Sequence, residues 1–182
     1  MHRVIDRLIE NLILEIMERD SKEDINKTSR EDKNVYLKKF VKAINGLGVT
    51  FNIWEKKNAD GGGSSIHDWT SLLRSDKRKL MNNLPAQLEQ NDILIPETKG
   101  TVIKIWKDFN DLYREITDLN VNDETEAILF EHGKQWINLF CSLGGLQGRQ
   151  GYEGARVTPF MLCIPYHITK FVRDHGSLKM FT

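Results

Sequence analysis

The shortages of this chain are the first guide to it. It has two cysteines in 182 residues, Cys141 and Cys163, which lie 22 residues apart in apolar segments. They form neither a CxxC pair nor a disulfide framework, and buried free thiols fit a reducing compartment. Neither sign of charge is in excess, since Lys+Arg and Asp+Glu number 26 each. No global field announces a nucleic acid or a membrane, so any polyanion site must be a local patch. Long apolar runs are missing as well. The N-terminal apolar stretch is broken by Asp6, Arg7, Glu10, Asn11 and Glu15, which rules out reading it as a signal peptide or a membrane span. The expectation is a nuclear or cytoplasmic protein, not secreted and without a membrane partner.

Catalytic signatures are also lacking. There is no GxSxG elbow, and neither cysteine sits near a histidine in a nucleophile motif. The carboxylates fall mostly in water-facing stretches such as SKED, SRED and NDETE, without the apolar pocket or paired partner that would shift a pKa toward catalysis. The five histidines are His2, His67, His132, His167 and His175. A helical metal pair needs two rings one turn apart, each about 2 Å from one ion. No pair here has that spacing; His167 and His175 are eight apart. No small-molecule substrate is evident.

What is present is helical periodicity. Val4, Ile5, Leu8, Ile9, Leu12, Ile13, Ile16 and Met17 recur at steps of three and four, predicting a first helix of about five turns. Asp20 to Lys33 reads as a solvated connection. A second helix is predicted from about residue 32 to 45, with Val35, Tyr36, Phe40, Val41 and Ile44 inward and Gly46 as a stop. Val49, Phe51 and Ile53 alternate, which fits a short extended segment. Asn58 to Ser65 contains three consecutive glycines and reads as a flexible loop. The next helix has Asp68 or Ser75 as cap and closes at Leu84-Pro85. A long helix follows over about 97–118, and another begins at Asp123 and stops at Gly144-Gly145. Gly144 to Gly154 holds five glycines and reads as a mobile loop. Thr158 and Pro159 then open a last helix, running to His175 with Pro165 bending it.

Two kinds of basic feature are candidates for touching nucleic-acid backbone. The loop GGLQGRQGYEGARV carries Arg149 and Arg156 on backbone that could approach a phosphate closely. It lacks the Lys-Ser/Thr ending of a nucleotide-binding loop, and a plain surface linker is the reading its residues favour. Lys77, Arg78 and Lys79 form a basic run near a helix start, and Lys38, Lys39 and Lys42 form another. Solvated faces are the ordinary explanation of such runs. His167, read from its neighbours, is a structural histidine.

The segment ARVTPFMLCIPYHITKFVRDHGSLKMFT resembles one in transposon-derived invertebrate proteins that runs approximately RVTPYMHxLxYHVPxFxxxHGxLxxFT and continues into GQGxEKxND. WTSLLRSDKRKLMNNLP, IWKDFNDLYREI and WINLF resemble the same proteins, and residues 155–182 carry the likeness most strongly. The wider class is that of cut-and-paste transposases and recombinases with a ribonuclease-H-like core, akin to the Transib and recombination-activating type. The resemblance implies a large helical insertion from an enzyme whose three carboxylates hold two divalent metals. It also implies a His-x4-His pair that binds zinc together with cysteines from elsewhere. This chain has Leu162 where the first histidine would stand, so His167 is left as a vestigial zinc ligand and no bound cofactor is expected. Pro165 stands inside the helix, whereas the relatives' proline falls at the position of Thr169. The sequence ends before the glutamate phrase and starts after the earlier aspartates, so the catalytic carboxylates are expected outside it.

These readings combine into an all-α, helical-bundle-like domain of about six helices with a long Gly-rich loop. N-terminal helices would span 1–57 and a flexible Gly/Ser loop 58–66, with a C-terminal helical region over 67–182 in the same domain. The expected core is Leu8, Leu12, Phe40, Trp106, Phe109, Trp136, Phe140, Phe160 and Phe171. The expected function is a transposase- or recombinase-derived fragment that contacts DNA backbone and is catalytically inert alone. The alternative is a helical module that binds another protein or itself.

Overall fold

The computed structural model describes residues 2–25, 33–59, 61–118, 123–145, 148–168, 170, 171 and 174. The protein is mostly helical, with six α-helices and a two-stranded sheet among the described residues. It forms two compact units, one of Met1–Glu15 with Leu94–Thr182 and one of Ile16–Ile93. This division does not follow the boundaries expected at 57 and 66, because those positions fall within a single paired hairpin.

Helix α1 (His2–Glu23) contributes residues to both units. In the first unit its Val4, Ile5, Leu8 and Leu12 are fully buried, as the three-and-four spacing requires. Helices α4 (Pro96–Asp118) and α5 (Asp123–Gly145) supply the aromatic part of that core. Phe109 lies 5.2 Å from Trp136, and Phe140 lies 6.2 Å from Trp136 and 5.0 Å from Tyr152, ring centre to ring centre. The buried Trp136 indole N–H donates to the Ile105 carbonyl at 2.9 Å, so the polar end of that side chain is satisfied. Glu15, also buried, accepts from the Thr98 hydroxyl at 2.5 Å and from the Ile95 N–H at 3.3 Å, which ties α1 to the start of α4. Asp123, the predicted cap, is the first residue of α5, and its side chain lies outside the described part.

At its described residues the glycine segment after α5 is packed, where a mobile loop is the expectation from sequence. Gly151 and Tyr152 are buried, and a Cβ at Gly144 would lie 2.5 Å from the Glu153 nitrogen. Its glycines therefore serve close backbone approach. A 3-10 turn (Gly154–Arg156) leads to α6 (Pro159–Cys163), capped as predicted by the Thr158 hydroxyl, which accepts the Met161 N–H at 3.3 Å. The helix expected to continue to His175 changes instead into a π-helical turn over Ile164–Ile168. Pro165 has no N–H to donate and crowds the preceding turn, so the wider turn relieves both problems. Phe160, expected in the core, is 51% exposed because α6 turns it outward, and Phe171 is half-buried. His175 and the rest of 175–182 lie outside the described residues.

In the second unit, α2 (Val35–Gly46) buries Tyr36, Phe40 and Ile44 and leaves Val35 and Val41 half-exposed. Its first N–H groups are held from a distance. The Asp20 carboxylate accepts from Tyr36 N–H at 3.0 Å and Leu37 N–H at 2.9 Å. Asp20 is thus a buried cap and not the start of a solvated connection; residues 26–32 of that stretch lie outside the described part. The predicted flexible loop is the turn and second strand of a hairpin, β1 (Ile53–Lys57) against β2 (Gly63–Trp69). Asn58 N–H donates to the Gly62 carbonyl and Gly61 takes φ +84°, so the glycines close a turn. Asp68 lies in β2, and α3 (Arg74–Gln90) starts just before Ser75. Pro85 does not end it. Leu80, Met81, Leu84 and Leu88 are all buried on one face, and that burial outweighs the lost hydrogen bond at the proline.

Candidate functional site

The continuation of α3 through Pro85 carries residues that a helix closing at Leu84-Pro85 would leave out. Gln87 and Gln90 follow on its exposed side, with Asn91 just past its end. Together with Lys39, Lys42, Ala43 and Gly46 of α2, and with Asp92, they line a groove of about 420 Å³. The groove's one carboxylate is already engaged. Asp92 accepts two bonds from the Arg19 guanidinium, at 2.8 and 3.1 Å. Arg19 also lies 3.6 Å from the centre of the Tyr36 ring, and the Lys39 ammonium lies 4.9 Å from it. Burial and then the hydrogen bond to Glu23 push the Tyr36 hydroxyl above its ordinary pKa. Among the described residues neither Lys39 nor Lys42 is paired with a carboxylate. The groove therefore offers two ammonium groups and a row of carboxamides, the side chains that hold phosphate and sugar oxygens.

The basic run 77–79 lies on the same unit. Lys77 is half-buried, Arg78 and Lys79 are exposed, and Arg74 joins Lys77 and Arg78 at steps of three and four. Lys79 is engaged at the surface: it donates to the Gly48 carbonyl at 3.1 Å and lies 3.9 Å from Asp76. Arg149 and Arg156 belong to the other unit. Arg149 is half-buried, with its backbone N–H tied to the Leu143 carbonyl at 2.9 Å, while Arg156 is exposed on the 3-10 turn. The five basic residues expected at phosphate therefore do not share one unit. The carboxamides escape a reading that ends the helix at Leu84-Pro85, although their spacing continues it.

The histidines are dispersed. His67 sits in β2, and its Nδ1 is enclosed without a hydrogen-bond partner. The His132 Nδ1 lies 3.0 Å from Glu115, in a groove of about 240 Å³ between α4 and α5 that also holds Asp108 and Asp111. His167, expected to pack or hydrogen-bond among apolar neighbours, is exposed, because the π-helical turn carries it to the surface. Leu162, at the position of the resemblance's other histidine, is exposed on α6. Among the described residues no three His, Cys, Asp or Glu side chains are grouped to hold a metal ion. Both cysteines are free and half-buried, and burial raises the Cys141 thiol pKa. Among the described residues no helix is long and apolar enough to cross a membrane. No protein-family profile matches the chain, and no curated protein and no solved structure is significantly similar to it.

Proposed function

We propose that the chain is a transposase- or recombinase-derived helical domain that holds nucleic-acid backbone without cutting it. The observation that carries this reading is the groove between α2 and α3, where Lys39 and Lys42 have no carboxylate partner among the described residues and the single carboxylate is neutralised by Arg19. The segment from Lys33 to Ile93 adds to it, with ten Lys and Arg against six Asp and Glu, a local excess within a neutral chain. The groove supplies attraction and orientation only. Zinc and divalent-metal chemistry form no part of this reading.

Fluorescence anisotropy with a labelled DNA duplex, titrated over a range of salt, tests the reading. Binding should weaken linearly on a log–log plot, and Lys39→Ala with Lys42→Ala should flatten the slope by about 0.9 for each phosphate that is no longer neutralised. Arg149→Ala with Arg156→Ala and Lys77→Ala with Arg78→Ala, measured alongside, report how far the bound surface extends. No binding at low salt refutes it.

A second reading, a module for self-association or protein binding, is favoured by the exposed Phe160, Leu162 and Tyr166 of the first unit. Size-exclusion with light scattering separates the two. A salt-insensitive oligomer without DNA affinity supports the second.

A further inference from the structure

The chain passes between its two units at two places, from Glu15 to Ile16 inside α1 and from Ile93 to Leu94 before α4. Residues 16–93 are thus one continuous stretch set between the two parts of the first unit. Each unit is fastened on its own side of these crossings. In the first, the Glu15 carboxylate accepts from the Ile95 N–H at 3.3 Å and from the Thr98 hydroxyl at 2.5 Å. In the second, one turn further along α1, the Arg19 guanidinium donates two bonds to Asp92, at 2.8 and 3.1 Å. Each of these bonds stays inside its own unit.

The Arg19–Asp92 clasp joins the first turn of the inserted stretch to its next-to-last residue. Arg19 is nearly buried, with its guanidinium carbon 3.6 Å from the centre of the Tyr36 ring, and the Tyr36 hydroxyl donates to Glu23 at 2.9 Å. Asp20 holds the start of α2 from the same turn of α1. The part of α1 beyond Ile16 therefore fastens both the entry to α2 and the exit of the stretch. The stretch also has a core of its own, in which Phe40, Ile44, Phe51, Leu80, Leu84 and Leu88 are buried. Domains of about 60 residues can fold alone, and this stretch is longer. A contiguous region with its own core is the kind that opens as one cooperative unit.

We propose that residues 16–93 open and reclose as one cooperative unit while the first unit stays folded, with the Arg19–Asp92 clasp as the latch. Every residue lining the α2–α3 groove belongs to this stretch, so opening dismantles the groove. Asp92 is at once part of the latch and part of the groove wall. The latch thus sets how much of the time the groove exists, whatever the groove holds.

Native-state amide exchange of the full chain, followed residue by residue, is the test. In the natural sequence the slowest amides of α2 and α3 should exchange through one shared opening, distinct from that of α4 and α5. The divide should run through α1, with Leu8 and Leu12 following α4 and α5, and Asp20 following α2 and α3. Asp92→Ala should speed the α2 and α3 amides about tenfold, the scale of one charge-assisted hydrogen bond lost, and leave those of α4 and α5 within about twofold. A single opening shared by all four helices overturns the proposal. So does acceleration by Asp92→Ala of both sets alike, of neither, or only of amides beside residues 19 and 92. The pattern in the natural sequence decides even if Asp92→Ala fails to fold.

Discussion

The Asn11 carboxamide donates to the Gly151 carbonyl at 3.1 Å, deep in the first unit, and so joins the middle of α1 to the glycine segment after α5. Gly151 has φ +93°, and a Cβ there would lie 2.5 Å from the Asn11 side-chain oxygen. Gly151→Ala is therefore strained in both backbone and packing and should cost about 1–3 kcal/mol. Thermal or urea unfolding reads the loss. Asn11→Ala in the same background should recover part of it by removing the clash.

Asp20 offers a second test. Its two bonds to the start of α2 replace a local cap, since Asn34 makes no side-chain cap bond. Asp20→Ala should cost about 1–2 kcal/mol, and Asp20→Asn, which keeps one acceptor oxygen, should cost less. Amide exchange at Tyr36 and Leu37 should speed up in step with the fall in stability.

The pH dependence has a definite sign on the alkaline side. Burial, reinforced by the charge of Glu15, raises the Tyr152 hydroxyl well above its ordinary pKa of 10.0, and Tyr36 is raised as well. A raised pKa means that the native state holds the proton longer than the unfolded chain does. That contribution is complete below pH 10 and is lost as pH climbs above it. Unfolding titrations should show stability falling above pH 10, less steeply in Tyr152→Phe. On the acid side, a hydrogen bond from Lys56 and then the Trp69 N–H lower Asp68 from 3.8. Its contribution to the hairpin is present above that value and fades as pH falls below it. The effect should be small, because the pair is exposed to solvent.

Trp136 supplies a fourth prediction. Trp136→Phe keeps an aromatic ring against Phe109 and Phe140 but leaves the Ile105 carbonyl without its side-chain donor. It should destabilise by about 1–3 kcal/mol, and Trp136→Ala by about 3–5 kcal/mol. Denaturant midpoints of the two variants provide the comparison.

Much of this fold can be read from residue spacing. The apolar periods of α1, α4 and α5 place those helices within a few residues, and seven of the nine expected core side chains are fully buried or nearly so. Glycine and proline mislead, because their local preferences say nothing of tertiary packing. Gly61 and Gly63 mark a hairpin turn, Gly144 and Gly151 mark close approach, and Pro85 sits inside a helix that packing sustains. Asp20 is unreadable as a cap because the N–H groups it serves lie sixteen and seventeen positions along the chain. The α2–α3 groove is legible in part. Its lysines show as a basic run, while its carboxamides are hidden by the misleading stop signal at Pro85.

Pro165 lies against Gly133, where a Cβ would come within 3.1 Å of the proline ring. The proline that widens the turn around His167 thus depends on the absence of a side chain on α5. Two positions far apart in the chain are constrained as one character. Two of the three nearest atoms, the Pro165 Cβ at 3.1 Å and Cα at 3.3 Å, belong to any residue other than glycine, so the close approach of the two backbones holds position 133 to glycine even without the ring.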